Sequence, residues 1–377
     1  MNSYRLAALL FALTGIQRFF ADESPLSRAA AASPFPFTSP IPVDDDKAKT
    51  LHLISLPPLP DSEGFAGGYL GVSGDHLLFA GGANFPGKKP WEGGSKVWSA
   101  KVFALPLSAL QKDGSENAWR QVGELPDPLG YGVSATWHDE LILAGGSSAD
   151  GHTAKLIALR FVAGELQQRS LPLLPQPLAN HCGTLIGGTL YVFGGQTTPT
   201  ALAISGGWKL CLADSNPRWV PLPAFPGPPR ILAAAAAVQD QLWIAGGAAL
   251  TPNSKQAIER RYLSDVWKLD AVHGWVPLPS LPSPSVAAPS PVAQKDNQPL
   301  LLGGDDGTQV GNDPTKHRGF PRITQRFLIA ENRWVPGPDF LPAVVTAPTA
   351  ETSFGTVIAS GEVRPGVRSP AVWLIKQ

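Results

Sequence analysis

An internal repeat limits the folds open to this chain of 377 residues more than any other feature of its sequence. Six short apolar runs each end in a pair of small residues, and successive pairs begin 49 to 64 residues apart. The pairs are Gly81–Gly82, Gly145–Gly146, Gly194–Gly195, Gly246–Gly247, Gly303–Gly304 and Ser360–Gly361. A repeat of this length predicts six copies of one supersecondary unit packed side by side.

A tryptophan recurs at one position of the repeat, 26 to 28 residues before four of the six pairs. These residues are Trp119, Trp219, Trp275 and Trp334. The second repeat reads LQQRSLPLLP at this position and has no tryptophan. Because the tryptophans recur whatever the neighbouring loops contain, we expect them to pack between repeats and not to stack on a ligand.

The composition is typical of an all-β domain with many short strands. Glycine and proline occur 39 times each and only 16% of residues are charged, so turn-forming residues interrupt an apolar chain every few positions. The formal net charge is zero and there is no basic block, which leaves no electrostatic surface for a phosphate backbone. We therefore expect no nucleic-acid partner.

The order of features within each unit resembles the kelch repeat over residues 51–377. The resemblance implies one four-stranded blade per unit and a six-bladed kelch-type β-propeller. After the sixth pair only one strand remains, AVWLI at residues 371–375, so the last blade lacks its outer strand. The stretch LHLISLPPLP at residues 51–60 has the form of such a strand. We expect this N-terminal strand to complete the last blade and close the ring.

The first 50 residues lie outside the repeats. Residues 1–21 contain Arg5 and an apolar run too short to span a bilayer, which predicts a signal peptide. Phe19 stands where the cleavage site prefers a small residue, and an unprocessed apolar leader is the alternative. Residues 22–50, rich in Ser, Pro and Ala, are predicted to be a linker. We expect a periplasmic or secreted protein with no membrane span in the mature chain.

The cysteines and histidines indicate neither a disulfide nor a metal centre. The repeat places Cys182 on the first strand of a blade and Cys211 on the third, about 9–10 Å apart, which is too far for a disulfide. The histidines are scattered and have no metal-ligand spacing. We expect two free thiols, no metal and no other cofactor.

The loops after the glycine pairs are expected to share one face of the propeller, because successive connections in an antiparallel meander alternate between faces. Ring closure then brings the loop at residues 362–368 beside the loop at residues 83–96. The residues expected to meet there are Glu362, Arg364, Arg368, Asn84, Trp91, Glu92 and Lys96. This convergence predicts a ligand pocket at the axis.

Structural explanations compete with this prediction. Glu362 and Arg368 can form a surface ion pair of almost no energetic value, and Glu92 and Lys96 can be solvated loop charges. His317 can reach the pocket, although the length of its loop favours an exposed position.

Two further residues, His181 and Arg230, precede innermost strands and either line the channel or merely cap it. We include both among the predicted substrate-binding residues.

Two stretches go beyond a general kelch pattern: GFAGGYLGVSGDHLLFAGGANFPGKKPWEGGSKVW at residues 64–98 and GEVRPGVRSPAVW at residues 361–373. They resemble the sialic acid mutarotases, the N-acetylneuraminate epimerases, in a cyclically permuted form with the glutamate-bearing stretch at the end of the chain. The resemblance implies that Glu362 is the catalytic acid/base and Arg368 its partner, in the pattern G-E-x-x-P-G-x-R.

This resemblance implies an isomerase that interconverts the anomers of a small-molecule sugar acid by ring opening, with no cofactor. One group protonates the ring oxygen while another removes the proton of the anomeric hydroxyl. An arginine suits the substrate carboxylate. For the second proton carrier, Glu92, His181, Lys96 and a water stay open.

Two other functions fit the same fold. A non-catalytic kelch module would bind a protein or a carbohydrate through its loops. A sialidase-like glycosidase would need a second acid or a tyrosine nucleophile, and the Glu362 loop contains no tyrosine. The oligomeric state is not indicated.

Overall fold

The computed structural model describes residues 51–111, 118–254, 257–295, 297–340 and 342–376. The predicted signal peptide, residues 1–21, and the predicted linker, residues 22–50, lie outside the described residues. Within the described part, the chain folds into a six-bladed β-propeller, and each blade is a four-stranded antiparallel sheet. The repeat therefore predicted the architecture and the number of blades correctly.

Strands are numbered here in chain order. The first half contains β1 (Leu53–Leu56), β2 (Tyr69–Ser73), β3 (His76–Ala80), β4 (Ala83–Asn84), β5 (Val97–Trp98), β6 (Lys101–Pro106), β7 (Arg120–Glu124), β8 (Val133–Trp137), β9 (Glu140–Ser148), β10 (Gly151–Val162), β11 (Glu165–Leu171), β12 (Cys182–Ile186), β13 (Thr189–Phe193), β14 (Gly207–Cys211) and β15 (Trp219–Pro221). The second half contains β16 (Ala234–Val238), β17 (Gln241–Ala245), β18 (Ala248–Pro252), β19 (Ile258–Tyr262), β20 (Val266–Asp270), β21 (Gly274–Leu278), β22 (Ala293–Lys295), β23 (Gln298–Leu302), β24 (Thr324–Leu328), β25 (Arg333–Pro336), β26 (Thr349–Thr352), β27 (Gly355–Ala359), β28 (Glu362–Arg364), β29 (Val367–Arg368) and β30 (Val372–Ile375).

The six blades follow one another around the axis. Their strand orders are β2-β3-β6-β7, β8-β9-β10-β11, β12-β13-β14-β15, β16-β17-β20-β21, β22-β23-β24-β25 and β26-β27-β30-β1. Three blades carry an extra hairpin directly after the glycine-pair position: β4–β5, β18–β19 and β28–β29. Short 3₁₀ helices lie at Pro90–Glu92, Leu107–Leu110, Pro314–Lys316 and Ile329–Glu331. None of the helices in the described ranges has the length and apolar character needed to cross a membrane.

The ring closes as the sequence predicted. Strand β1 pairs antiparallel with β30 and completes the sixth blade, with Leu53 opposite Ile375 and Leu56 opposite Val372. A buried cluster joins the sixth blade to the first and includes Phe79 and Leu374. Apolar packing therefore runs through the point of closure as it does between other blades.

The recurring tryptophans connect neighbouring blades, which confirms their predicted packing role. Each indole N–H donates a hydrogen bond to a proline carbonyl of the preceding blade, at 2.9 to 3.1 Å. The donor and acceptor pairs are Trp119–Pro57, Trp219–Pro172, Trp275–Pro223 and Trp334–Pro279. The bond from Trp119 reaches the N-terminal segment and so also spans the closure.

Glycine is required at the pairs because the backbone there touches the next blade. Gly246 has a φ of +61°, and a Cβ at this residue would lie 2.3 Å from the carbonyl oxygen of Ser285. The next amide, that of Gly247, donates to the same oxygen at 2.8 Å. A side chain would separate two blades that are hydrogen-bonded through their backbones.

Six residues form a closed ring of backbone hydrogen bonds around the axis, which we call the axial ring. Each lies shortly before an innermost strand and donates its amide to the carbonyl of the equivalent residue in the preceding blade, at 2.7 to 2.9 Å. The residues are Gly67, Tyr131, Asn180, Leu232, Ala287 and Thr346, and all have φ between +53° and +66°. The ring fixes the mutual orientation of the blades on the face that carries the glycine-pair loops.

The cysteines lie where the repeat placed them. Cys182 is on β12 and Cys211 on β14, with β13 between them, and both are free thiols. Burial raises the pKa of the Cys182 thiol to about 12, so this thiol is chemically inert at neutral pH.

Candidate functional site at the axial mouth

One equivalent residue follows the glycine-pair position in every blade and bridges to the residue before the axial ring. These residues are Ala83, Ser147, Gln196, Ala248, Asp305 and Glu362. Only Asp305 and Glu362 carry charge, and they belong to neighbouring blades. Negative charge at this level is therefore confined to the fifth and sixth blades.

A tight hairpin places Glu362 and Arg368 opposite each other. Strands β28 and β29 pair with Glu362 in register with Arg368, and a turn containing Pro365 and Gly366 joins them. Gly366 has a φ of +79°, and its amide donates to Glu362 Oε1 at 2.6 Å. A proline followed by a glycine suits a turn that needs a positive φ at its second central residue. The spacing of six residues thus pairs the carboxylate with the guanidinium.

Arg368 is a buried cation with unused donors. Its side chain is only 3% exposed, and its Nη1 lies 3.6 Å from Glu362 Oε1, beyond hydrogen-bond range. Nε and Nη1 are buried without a hydrogen-bond acceptor. Burial opposes its charge, but Glu362, Tyr131 and Glu63 together raise the pKa of Arg368 above its ordinary value. A charged guanidinium with unsatisfied donors is suited to an anionic ligand.

The first blade supplies the opposite wall. The Phe85 ring lies under the guanidinium of Arg368, 4.5 Å from its carbon to the ring centroid. Asn84 is buried, and its amide donates to the Gly64 carbonyl at 3.1 Å and to Asp61 Oδ1 at 3.3 Å. Asn84 therefore braces the loop that presents Phe85.

Trp91, Lys96 and Arg364 also lie near this pair of loops. A Cβ built on Gly366 would come 3.0 Å from the Trp91 ring, so this tryptophan packs against the hairpin turn. Lys96 Nζ lies 4.8 Å from the centroid of the Tyr131 ring. Arg364 is half-buried, and its charge contributes to lowering the pKa of His317.

Glu92 has a local structural role. It is exposed, and its Oε2 accepts a hydrogen bond from the Lys89 amide at 2.8 Å, which caps the helix Pro90–Glu92. The predicted contact of Glu92 with substrate is not supported, because its carboxylate is engaged with its own loop.

The structure does not support the predicted role of Arg230 in substrate binding. Its side chain is fully buried and forms a forked ion pair with Asp265, with Nη1–Oδ1 at 3.0 Å and Nη2–Oδ2 at 2.6 Å. It also donates to the carbonyl oxygens of Gly246 and Pro228. Arg230 connects the third and fourth blades, and nearly all its donors are used within the protein. It is not available to a substrate.

His181 lines the axial cavity together with members of the axial ring such as Asn180 and Leu232. Neither of its ring nitrogens has a hydrogen-bond partner. Burial lowers the pKa of His181 to about 3, and the neighbouring His152 contributes to the shift. The side chain is therefore an uncharged ring at neutral pH.

Sequence reasoning missed two contributors and misjudged the burial of a third. Phe85 follows Asn84 directly and is the aromatic surface of the site. Tyr131 belongs to the axial ring and reaches Arg368. His317 is only 7% exposed, although its loop length favoured an exposed position.

The ring of His317 packs against Phe320, and its Nδ1 accepts from the Gly319 amide at 3.1 Å. Tyr131 could have been found from the repeat, because it is the one aromatic residue among the six equivalent positions of the axial ring.

The described residues include no group of three or more His, Cys, Asp or Glu arranged to hold a metal ion.

The fold defines the class of the protein as a kelch-type six-bladed propeller. A solved structure entitled "Structure of YjhT" superposes with a TM-score of 0.61. The superposition covers 83% of this chain and 95% of the other, at 14% sequence identity. At that identity the similarity supports the fold alone.

Sequence comparison points to a particular family. Residues 43–167 match the family model described as N-acetylneuraminate epimerase. The chain is 39% identical over 120 residues to the N-acetylneuraminate epimerase of Salmonella arizonae, which is 29% of each chain. It is 38% identical over 116 residues to that of Yersinia enterocolitica, which is 28% of this chain and 27% of the other.

The matched segment thus spans less than a third of the length of these curated relatives. The family-model match contains the first blade and most of the second, including Phe85, Lys96 and Tyr131, whereas Glu362 and Arg368 lie beyond it.

Proposed function

We propose that this protein is a mutarotase that interconverts the α and β anomers of N-acetylneuraminate or a related sugar acid. The observation that carries the proposal is the pair formed by Glu362 and Arg368, a partly exposed carboxylate beside a buried guanidinium with unused donors. The names of the curated relatives support the same substrate class.

Glu362 is suited to proton transfer. Its side chain is 17% exposed, so it can meet a ligand at the axial mouth while the hairpin turn fixes its position. Mutarotation of a cyclic sugar acid transfers the anomeric hydroxyl proton to a base and breaks the bond between the anomeric carbon and the ring oxygen. The ring oxygen takes a proton from an acid, and closure on the other face reverses both transfers. Glu362 is the carrier at one end of this exchange.

Arg368 is suited to the carboxylate of the substrate. A sialic acid carries this group on its anomeric carbon, which a simple aldose does not. A guanidinium can bind a carboxylate through two parallel hydrogen bonds, and here it is held in orientation by the Phe85 ring. Recognition of the carboxylate thus places the anomeric carbon beside Glu362.

The order of motifs supports a cyclically permuted member of this family. The family match begins at residue 43 and ends at residue 167, and the stretch GEVRPGVR follows it four blades later. Since β1 completes the sixth blade, the two segments become neighbours in space. A ring tolerates such a change in the position of its termini because every interface between blades is preserved.

The test is the conversion of freshly released α-N-acetylneuraminate to the β anomer, followed by ¹H NMR and corrected for the uncatalysed rate. Glu362→Gln keeps the size of the side chain and removes its acid/base function, so we expect the rate to fall by about 10²–10⁴-fold. Glu92→Gln, which alters an exposed carboxylate of the facing loop, is the matched control and should keep the wild-type rate. Equal rates for Glu362→Gln and wild type would refute the proposal.

A binding module is the competing function. It would favour an exposed apolar loop face, whereas the residues gathered here are a buried arginine, a carboxylate and a lysine. The same NMR assay separates the two functions, because a module that binds the sugar acid without catalysis leaves the anomers at their uncatalysed rate.

A further inference from the structure

The side chain of Tyr131 is held at the axis by the fold itself. Its backbone belongs to the axial ring, with a φ of +63°, and its ring lies over Gly67 of the first blade. A Cβ on Gly67 would be 2.6 Å from Tyr131 Cδ1, so only glycine at that position leaves room for the phenol ring. Of the six residues of the axial ring, Tyr131 alone has a titratable side chain.

Two cations lie next to this phenol. Lys96 Nζ is 4.8 Å from the centroid of the Tyr131 ring. Arg368 is also a neighbour, since Tyr131 is one of the groups that raise its pKa. Cations beside a phenol stabilise the negative charge that develops on its oxygen as it gives up a proton in a transition state. Tyr131 therefore shares its environment with the arginine assigned to the substrate carboxylate.

The neighbouring carboxylates are engaged elsewhere. Asp305 accepts from the Tyr262 hydroxyl at 2.8 Å through Oδ2 and from the Gly307 amide at 3.0 Å through Oδ1. Glu63 is paired with Lys89.

The histidines are not suited to accept and return a proton either. His317 Nδ1 accepts a hydrogen bond from the Gly319 amide, so the proton of the neutral ring is on Nε2. Neither nitrogen then has a free lone pair with which to accept a proton from a substrate. His181 is a buried ring that is uncharged at neutral pH.

We infer that Tyr131 is the second proton carrier of the site. The inference rests on the proposed mutarotase function. In the opening step, the Glu362 carboxylate takes the proton of the anomeric hydroxyl, and the electron pair of that O–H bond forms the carbonyl. The bond between the anomeric carbon and the ring oxygen breaks, its electron pair stays on the ring oxygen, and that oxygen takes the phenol proton of Tyr131. In closure on the opposite face, the open-chain hydroxyl attacks the carbonyl carbon and returns its proton to the Tyr131 phenolate, while the Glu362 carboxyl gives its proton to the carbonyl oxygen.

The decisive variant is Tyr131→Phe, which removes the hydroxyl and keeps the ring over Gly67. We expect kcat for sugar-acid mutarotation to fall about 10²-fold or more, with KM changed by less than about 3-fold and an unchanged melting temperature. The matched control is Tyr69→Phe, because the buried Tyr69 hydroxyl donates to the backbone carbonyl of Gly145 in the second blade, at 2.8 Å. That variant should melt at a lower temperature and keep its kcat.

The outcomes separate the two proposals. A Tyr131→Phe protein with a kcat within about 3-fold of wild type, tested beside an inactive Glu362→Gln, overturns the inference and leaves the proposed function standing. A rise in KM with kcat unchanged also overturns it, since that pattern assigns Tyr131 to ground-state binding. A wild-type protein that does not accelerate mutarotation overturns both proposals.

Discussion

Arg368 of the sixth blade and Phe85 of the first contact each other across the closure of the ring, with the guanidinium carbon 4.5 Å from the ring centroid. The two residues are 283 positions apart in the chain. They meet because β1 pairs with β30 and brings the ends of the propeller together. The site therefore depends on the same strand pairing that completes the fold.

Replacing Phe85 by leucine should weaken substrate binding moderately. The aromatic face contributes about 1 kcal/mol to holding the guanidinium, so we expect KM for the sugar acid to rise about 5-fold while kcat stays close to wild type. Phe225→Leu is the matched control, since Phe225 lies 5.0 Å from the guanidinium of Arg230, which binds no substrate. Kinetics by NMR at several substrate concentrations check this, and an equal KM for Phe85→Leu and wild type would contradict the assigned role.

Substitutions at the glycine pairs should change the free energy of unfolding and not the catalytic rate. Gly246→Ala introduces a Cβ 2.3 Å from the Ser285 carbonyl oxygen at a φ of +61°, and should lower the free energy of unfolding by about 3 kcal/mol. Gly274→Ala is the control, because Gly274 has a similar φ of +70° and no atom within 4 Å of the added carbon. It should cost about 1 kcal/mol. Urea unfolding measures both, and equal losses would show that contact with the next blade is not the reason for glycine.

The repeat was enough to predict the blades, their number and the closing strand, because these follow from local patterns that recur six times. The motif G-E-x-x-P-G-x-R predicted that Glu362 and Arg368 act as a pair, and the tight turn between them fixes the register of a short hairpin that sets them opposite each other. The free state of Cys182 and Cys211 followed from the order of strands within one blade.

The partners of particular side chains were beyond the sequence. Arg230 was expected at the channel, but its direction is decided by Asp265, which lies 35 positions later in the chain. Glu92 was expected in the pocket, but its own loop offers the Lys89 amide as a nearer partner. Tyr131 was missed because its position over Gly67 depends on packing between two blades and not on any motif.

The ion pair between Arg230 and Asp265 should matter for stability and not for catalysis. Asp265→Asn leaves a fully buried guanidinium without its full counter-charge, and we expect a loss of about 2–3 kcal/mol in the free energy of unfolding. The mutarotation kinetics should stay at the wild-type level under conditions where the variant is folded. Urea unfolding and the NMR assay together check this. If the variant had unchanged stability and a raised KM, Arg230 would instead be assigned to substrate binding.

The buried ring of His181 should make the protein less stable in acid. Burial lowers its pKa to about 3 in the folded state, whereas an exposed histidine has a pKa of about 6.5. Between these values the unfolded chain binds a proton that the folded protein does not. The contribution of His181 to stability is therefore complete above about pH 6.5 and decreases as the pH falls, by about 1.4 kcal/mol per pH unit. His152 and His317, whose pKa values are also lowered by burial, act in the same direction.

His181→Phe isolates this effect, because it removes the titrating group and keeps a ring of similar shape where neither nitrogen has a partner. Between about pH 7.5 and about pH 5.5, the free energy of unfolding of the wild type should fall by about 1.4 kcal/mol more than that of the variant. Urea unfolding at the two pH values measures the difference, and His152 and His317 cancel because both proteins retain them. Parallel losses in the two proteins would mean that His181 becomes protonated in the folded state, with its ring in contact with water and not enclosed at the axis.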